Sequence, residues 1–398
     1  MDFELTPDQR AVRDLVRAFA REEVAPHATE ADRTGQFPQG LLARLAELDL
    51  FALPFPPEYG GLGGDTISYA LAIEELAWAD ASLALTYAAH CSLGAGYLHL
   101  FGSPEQKARW LTPAARGEAL IAFALTEPGG GSDAAHPQTR AERRDEGWLL
   151  NGSKVFITNG AHAAATVIMA ATRPGGGKGG VSAFLVPAGT PGFTVGPQYE
   201  KLGLRSSDTA PLALEDVLVG PEALVGEEGR GYEQALAVLD GGRIGIAALA
   251  VGIGQAALDR ALAYARERTA FGQPLSRFQA IRFKLADMTT ELELARLAYL
   301  KAAWLKDQGR PFRKEAAMAK LFASEAATRA ANAAIQIHGG LGYTRDGVVE
   351  RYWRDARLME IGEGTSEILR LVIAREVGAA GATPPPDPGA GLRAGPGP

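Results

Sequence analysis

Cysteine is almost missing from this chain: Cys91 is the only one. A single thiol excludes an internal disulfide and any zinc or iron–sulfur site built on clustered cysteines, and it fits a reducing compartment. The six histidines (His27, His90, His99, His136, His162 and His338) are scattered and none has H-E-x-x-H spacing, so no metal site is indicated. No block of Lys and Arg occurs. The 40 basic and 47 acidic residues are mixed along the chain and leave a formal charge of −7, which argues against nucleic acid as a main partner. The N-terminus, Met1-Asp2-Phe3-Glu4-Leu5-Thr6-Pro7, is acidic and has no apolar signal core. The longest apolar run, Ile244 to Gly254, is too short and too glycine-rich to span a bilayer. The expectation is a cytoplasmic protein without a membrane span.

What is present is material for a large core. The chain has 398 residues, 46% of them hydrophobic and 22% charged, enough for two or three domains. From Thr6 to Leu120 the pattern is mainly helical. Thr6-Pro7-Asp8 reads as a helix start with proline in the first turn, and Leu5, Val12, Leu15, Val16 and Phe19 form one stripe. Near Ile121 short runs of Val, Ile, Phe and Thr begin, separated by Gly/Pro turns, as in a small antiparallel β domain. From Tyr232 the chain is helical again. Ile281, Leu285, Met288, Leu292, Ala295 and Tyr299 step by four and three along one helix face. The fold class is mainly α with a central antiparallel β domain. The expected divisions are a helical domain over 1–121, a β domain over 122–232, a helical bundle over 233–378 and a Gly/Pro/Ala-rich disordered tail over 379–398.

Five stretches carry chemical interest. Phe123 to Asp133 is a strand running into a glycine loop, with a partial dinucleotide fingerprint at Gly129, Gly131 and Ala134. His136-Pro137-Gln138 follows instead of a helix, so a Rossmann domain is not supported. The loop N–H groups suit part of a phosphate-bearing ligand or an ordinary turn. Lys154 to Gly160 reads as a strand with a hairpin-type Asn-Gly turn, placing Phe156 and Thr158 on one face to line a flat ring or to pack in the sheet. Leu239 to Arg243 reads as the start of a long helix, where Arg243 fits either an anionic partner or a salt bridge with Asp240. Gln336 to Tyr343 reads as a glycine-stopped helix end. In Met359 to Arg370, Glu363 sits between Gly362 and Gly364, and Thr365 or Ser366 caps the next helix. A carboxylate on a tight loop beside helix N–H groups suits a general base next to a developing oxyanion; an exposed Glu in a capping loop is the plainer alternative.

Taken in order, T-E-P-G-G-G-S-D, K-V-F-I-T-N-G, R-T-A-F-G-Q-P-L, Q-I-H-G-G-L-G-Y and E-G-T-S-E-I resemble the acyl-CoA dehydrogenase family over about Leu5 to Arg375. Leu239 to Ala247 and Lys314 to Lys320 look most like its short-chain (butyryl-CoA) type. The resemblance implies a helical domain, a β-barrel-like domain and a C-terminal four-helix bundle. It also implies non-covalent FAD, a homotetramer built as a dimer of dimers, oxidation of an acyl-CoA to the trans-2-enoyl-CoA, and electron transfer to an electron-transferring flavoprotein. By position, Glu363 matches the base. Phe123, Leu125, Thr126, Gly131, Ser132, Phe156, Ile157 and Thr158 match the β-domain side of the flavin site. Arg268, Phe271, Gln279, Gln336, Gly339 and Gly340 match segments reaching FAD, partly from a neighbouring subunit, and Thr365 and Glu367 match further FAD contacts. Ser132, Asp240, Arg243 and Gly364 match acyl-CoA contacts. Phe156 stands where many members have Trp. Gly362 stands where many have Tyr, which implies a reshaped or widened acyl pocket. Gly242 stands where the isovaleryl and long-chain types carry their base. An acyl-CoA oxidase or other flavin-dependent relative of the same fold, and a non-catalytic acyl-CoA-binding protein, remain open on sequence.

Overall fold

The computed structural model describes residues 4–173 and 175–378; the tail expected over 379–398 lies outside them. The chain opens with α1 (Pro7–Phe19), α2 (Ala28–Thr34), α3 (Gln39–Glu47), α4 (Thr66–Ala79), α5 (Ala81–Ala88) and α6 (Ala95–Phe101), then the short α7 (Pro104–Gln106) and α8 (Thr112–Ala115). Thr6 caps α1, with Pro7 in the first turn and Gln9 returning a bond to close a capping box. Val16 and Phe19 of the N-terminal stripe are buried, but Leu15 is exposed. Helices α4 and α5 have no distinct polar face and are mostly buried, and Glu74 and Glu75 of α4 are paired with Arg296 and Arg17. Asp65 and Asp80 start them, accepting from Ser68 N and Ser82 N. A π turn, Ala89–Gly94, joins α5 to α6. Extra-residue turns of this kind re-aim side chains and often sit at functional sites.

The middle of the chain forms β1 (Leu120–Ala124), β2 (Arg140–Arg144), β3 (Gly147–Thr158), β4 (Ala163–Ala171), β5 (Val181–Pro187), β6 (Phe193–Val195), β7 (Thr209–Val219) and β8 (Leu224–Val225). The sheet order is β6-β7-β3-β2-β4-β5-β8, with β1 on β4. Pairing is antiparallel except that β1 runs parallel to β4, as does the single β2–β4 partner pair Arg140–Ala171. A parallel pair needs a crossover, and the glycine loop with the β2–β3 hairpin supplies it. The Asn159-Gly160 turn is not a hairpin: it joins β3 to β4, which β2 separates. Asn159 instead ties the sheet to the helices, donating from its buried side chain to Thr86 O at 2.9 Å. Alternation along β4 serves two cores: Val167 and Met169 face the helical core, while Ile168 and Ala170 join Trp148 and Phe184 inside the sheet.

The C-terminal helices are α9 (Gly231–Glu267), α10 (Gln279–Asp307), α11 (Arg313–His338), α12 (Val349–Met359) and α13 (Ser366–Glu376), with the two-strand ribbon β9 (Thr269–Ala270) and β10 (Gln273–Pro274) between α9 and α10. Helices α9, α10 and α11 pack on one another, α4 lies along α9, and α12 and α13 pack on α11. Small residues allow the close approach: a Cβ at Gly252 would overlap the Glu74 carbonyl and Ala77 of α4. In α10, Met288, Leu292, Ala295 and Tyr299 of the periodic stripe are buried. Helix α9 begins at Gly231 rather than near Leu239, so Asp240 and Arg243 lie within it and not at its N-terminus. Its length and composition would suffice to cross a membrane, but most of it is buried inside the protein.

Candidate active site

After α12 the chain turns back on itself: Ile361 N and Gly362 N both donate to Leu358 O at 2.9 Å, and Ser366 N donates to Glu360 O at 3.1 Å. Thr365 is the helix cap, accepting from Ile368 N at 3.3 Å. Within this loop the left-handed residues are Glu363, at φ 52°, and Gly364, at φ 106°. The strain therefore falls on the base candidate itself and not on Gly362. A left-handed Glu costs of the order of 1 kcal/mol and persists only where surrounding structure imposes it, a pattern typical of functional positions.

The Glu363 side chain turns inward. Its Oε2 is shut off from solvent and has no hydrogen-bond partner among the described residues. A Cβ placed on Gly242 of α9 would overlap that oxygen and would come 3.2 Å from Leu93 of the π turn. Burial pushes the carboxyl up to about 7, opposed by Lys320 and Arg243. Arg243 is buried and donates to Asp240 Oδ1 at 2.5 Å; Asp240 Oδ2 accepts from Arg313 Nε at 2.7 Å. The salt bridge reading of Arg243 is thus the one realised, although Arg243 Nε has no partner among the described residues. Lys320 donates to Gly364 O at 2.7 Å. Tyr69 of α4, buried and itself in the field of Glu363, donates to Ala88 O at 3.2 Å.

The β-domain candidates lie on one side of the glycine loop. Phe123 stacks on Tyr97, ring centroids 5.8 Å apart. Thr126 O accepts from Val155 N at 3.0 Å, and Gly131 and Ser132 are exposed. Phe156 is 64% exposed on left-handed backbone at φ 60°, tilted against Tyr199 with centroids 5.1 Å apart. A register shift between Lys154 and Ile157 throws it outward. Ile157 points into the β core, so only its backbone can face a ligand; Thr158 is half-buried. The π turn links this side to the candidate base, with Gly94 against the Ile121 carbonyl and Leu93 against Gly242.

One pair escaped the sequence reading. Lys154 is fully buried and its Nζ donates to Glu127 Oε1 at 2.6 Å and to Leu125 O at 3.2 Å. Glu127 also accepts from Gln138 N at 2.5 Å and Thr139 N at 3.1 Å. The Glu of one motif and the Lys of the next thereby clamp both ends of the glycine loop. The only sequence signal was a Lys directly before the apolar run Val155-Phe156-Ile157 of its strand.

The remaining candidates stand elsewhere. Arg268 ends α9, Phe271 is 96% exposed in the β9–β10 turn, Gln279 begins α10, and Gln336 with Gly339 and Gly340 ends α11. His338 is buried there, bonded to Ala334 O at 2.8 Å and stacked on Tyr264 at 4.3 Å. Gly242 and Arg268 are about seven helical turns, roughly 39 Å, apart on α9. The structure therefore brings Glu363, Gly364, Thr365, Asp240 and Arg243 together, and it gathers Arg268, Phe271, Gln279, Gln336, Gly339 and Gly340 at the other end of the bundle. Glu367 is exposed in the first turn of α13, beside Ser366, whose buried Oγ lacks a partner among the described residues. Unpartnered buried polar atoms (Glu363 Oε2, Arg243 Nε and Ser366 Oγ), an exposed aromatic on strained backbone and an open glycine loop fit a large ligand with a flat ring and anionic groups.

The chain matches the acyl-CoA dehydrogenase N-terminal, middle and C-terminal domains over residues 6–118, 122–217 and 229–378. It is 57% identical to a probable acyl-CoA dehydrogenase of Bacillus subtilis over 95% of this chain and 100% of that one. The structure of butyryl-CoA dehydrogenase from Megasphaera elsdenii superposes with a TM-score of 0.93 at 44% identity, covering 95% of this chain and 100% of the other. A chain in a structure reported for the electron-transferring flavoprotein of Acidaminococcus fermentans, in the context of flavin-based electron bifurcation, gives 0.93 and 44% over 95% and 99%. On these matches the chain belongs to the acyl-CoA dehydrogenase family of FAD-dependent oxidoreductases.

Proposed function

We propose that the protein oxidises short, including branched short, acyl-CoA thioesters to trans-2-enoyl-CoA, with Glu363 as the base that takes the α-proton. The observation that carries this reading is the Glu363 carboxyl itself: buried, unpartnered at Oε2, and facing the bare backbone of Gly242. An α-C–H beside a thioester is a very weak acid, so the base must be held close, raised in basicity and shielded from water. Burial provides the basicity. The left-handed loop presents Glu363 with its own backbone N–H available to the thioester oxygen. Arg243 lies beside Gly364, and this proximity supports a role for both residues in binding the acyl-CoA. Bound FAD supplies the acceptor for the β-hydrogen and two electrons; Phe156, Thr126 and Thr158 would hold its ring, and Ser366 and Thr365 its polar parts.

Short-chain preference is supported by the likeness to butyryl-CoA dehydrogenase, and an electron-transferring flavoprotein as the acceptor by the Acidaminococcus match. A homotetramer, a dimer of dimers, accounts for the distance between the two clusters: Arg268, Gln279 and Gln336 to Gly340 of one protomer would complete the site around Glu363 of another. The test is an anaerobic titration of the purified flavoprotein with butyryl-CoA, following the oxidised flavin's visible absorbance. Prompt bleaching is expected. A yellow protein that butyryl-CoA does not bleach rejects the short-chain assignment.

A further inference from the structure

Lys320 has no role in the reading above beyond its proximity to the base, yet it is among the most thoroughly buried charged groups, with 0% of its surface exposed. It takes part in none of the ion pairs found within 4.0 Å among the described residues; the Nζ bond is to the Gly364 carbonyl. A buried ammonium without an acidic partner in contact is costly. The surrounding charges narrow what offsets that cost. From α9, Asp240 is already engaged by Arg243 and by Arg313 of α11. From α12 and its loop, Glu360 is held by Arg357 and by Thr328 of α11. Tyr69 of α4 is neutral, its hydroxyl pushed well above the ordinary range by burial. The carboxylate left for Lys320 is Glu363.

We propose that Lys320 is a positioning residue for the base: its ammonium group fixes the Gly364 carbonyl and serves as a buried counter-charge that favours the anionic form of Glu363 before substrate arrives. The proposal rests on Glu363 being the base. One group thus does two things. The hydrogen bond to Gly364 O holds the peptide that follows Glu363, so the left-handed turn keeps its geometry. The charge opposes the effect of burial on the carboxyl, as the Arg243 guanidinium of α9 also does, and burial lowers Lys320 itself to about 8, with Glu363 and Glu360 opposing that shift and Arg243 adding to it. When Glu363 accepts the α-proton its charge disappears, and Lys320 loses its partner. The lysine therefore favours the state of the site that is ready to react.

Two measurements on the FAD-loaded full-length protein test this. The first compares the pH dependence of kcat/KM in wild type, Lys320→Met and Lys320→Arg. Lys320→Met is expected to move the acid limb up by roughly one pH unit or more, with activity recovering at higher pH; Lys320→Arg keeps the limb near its original place. A fall in activity by the same factor at every pH, with the limb unmoved, overturns the counter-charge role. The second is a thermal double-mutant cycle at pH 8, which needs no turnover. Lys320→Met is expected to shift Tm more favourably in a Glu363→Gln background, where the lysine has lost its partner, than in wild type. Equal shifts in both backgrounds overturn the proposal. An uncoupled cycle in a protein that turns over butyryl-CoA faults Lys320 alone; a coupled cycle in a protein that does not bleach faults the substrate assignment alone.

Discussion

The Glu363 carboxyl fills the space into which a side chain on Gly242 would grow. The proposed base and the glycine come from different elements, a C-terminal loop and the buried helix α9, and a side chain on Gly242 would compete with the carboxyl for one space. Gly242→Ala should leave the fold intact, because α9 is secured along its whole length. Its Cβ would displace the carboxylate, and misplacement of a base by about 1 Å costs on the order of 100-fold. We expect kcat/KM to fall by about that factor with a small change in Tm. Wild-type turnover in Gly242→Ala would show that the carboxylate works from another rotamer.

The ion pair beneath the glycine loop gives a prediction about stability. Lys154 and Glu127 are both buried. Removing one partner of a buried pair leaves an uncompensated charge and costs roughly 3–5 kcal/mol. Lys154→Met should approach the lower figure, since two backbone N–H groups still hold Glu127. Adding Glu127→Gln should recover part of the loss. Chemical denaturation measures both; a loss below about 1 kcal/mol for the single variant would mean that the clamp adds little.

The sequence made the course of the helices readable, because the α10 stripe steps regularly toward Tyr299, and it singled out Glu363 as a candidate because that residue stands in a short polar loop between periodic segments. It could not reveal which residues meet across the chain. Lys154 with Glu127, Lys320 with Gly364, and Gly242 with Glu363 are all pairings set by packing, and no local pattern encodes them. Asn159-Gly160 misled because its local turn chemistry is that of a hairpin, whereas the sheet order places β2 between the strands it joins. Gly241 and Gly242 mimic a helix boundary before Arg243, whereas within α9 Gly242 admits the close approach of Glu363 and Leu93.

Phe156 is held outward at φ 60° with little to pack on besides Tyr199. Phe156→Ala should change the stability of the flavin-free protein by less than about 1 kcal/mol. If the ring covers the flavin, the variant should lose its yellow colour on gel filtration under conditions where wild type retains it. Equal retention of flavin by the two proteins would assign Phe156 to another surface.

The carboxyl of Glu363 is raised by burial to about 7, and the consequences for activity and stability have opposite signs. A base must be deprotonated, so kcat/KM should rise as pH increases through about 7. A flat profile down to pH 5 would exclude a raised carboxyl as the base. For stability, a carboxyl raised on folding contributes fully below its unfolded value, near 4.5, and the contribution is lost as pH rises through the folded value. The site is thus least favourable to folding where it is most active. Such tension is common where a buried charge is required for function.

The two clusters of site residues yield the last prediction. Gly242 and Arg268 are roughly 39 Å apart on one rigid helix, so one chain does not bring Glu363 and Arg268 to the same point. In a two-fold dimer, residue i of one protomer meets residue j of the other. Glu363→Gln lacks the base, and Arg268→Glu reverses a charge at the opposite end of the bundle; each should be inactive alone. Refolded together at equal concentration, about half the dimers are mixed, and in each of these one of the two sites carries neither substitution. About a quarter of wild-type activity should return. If none returns while native electrophoresis shows mixed dimers, the two residues do not belong to one site built across protomers, and Arg268 has a role outside it.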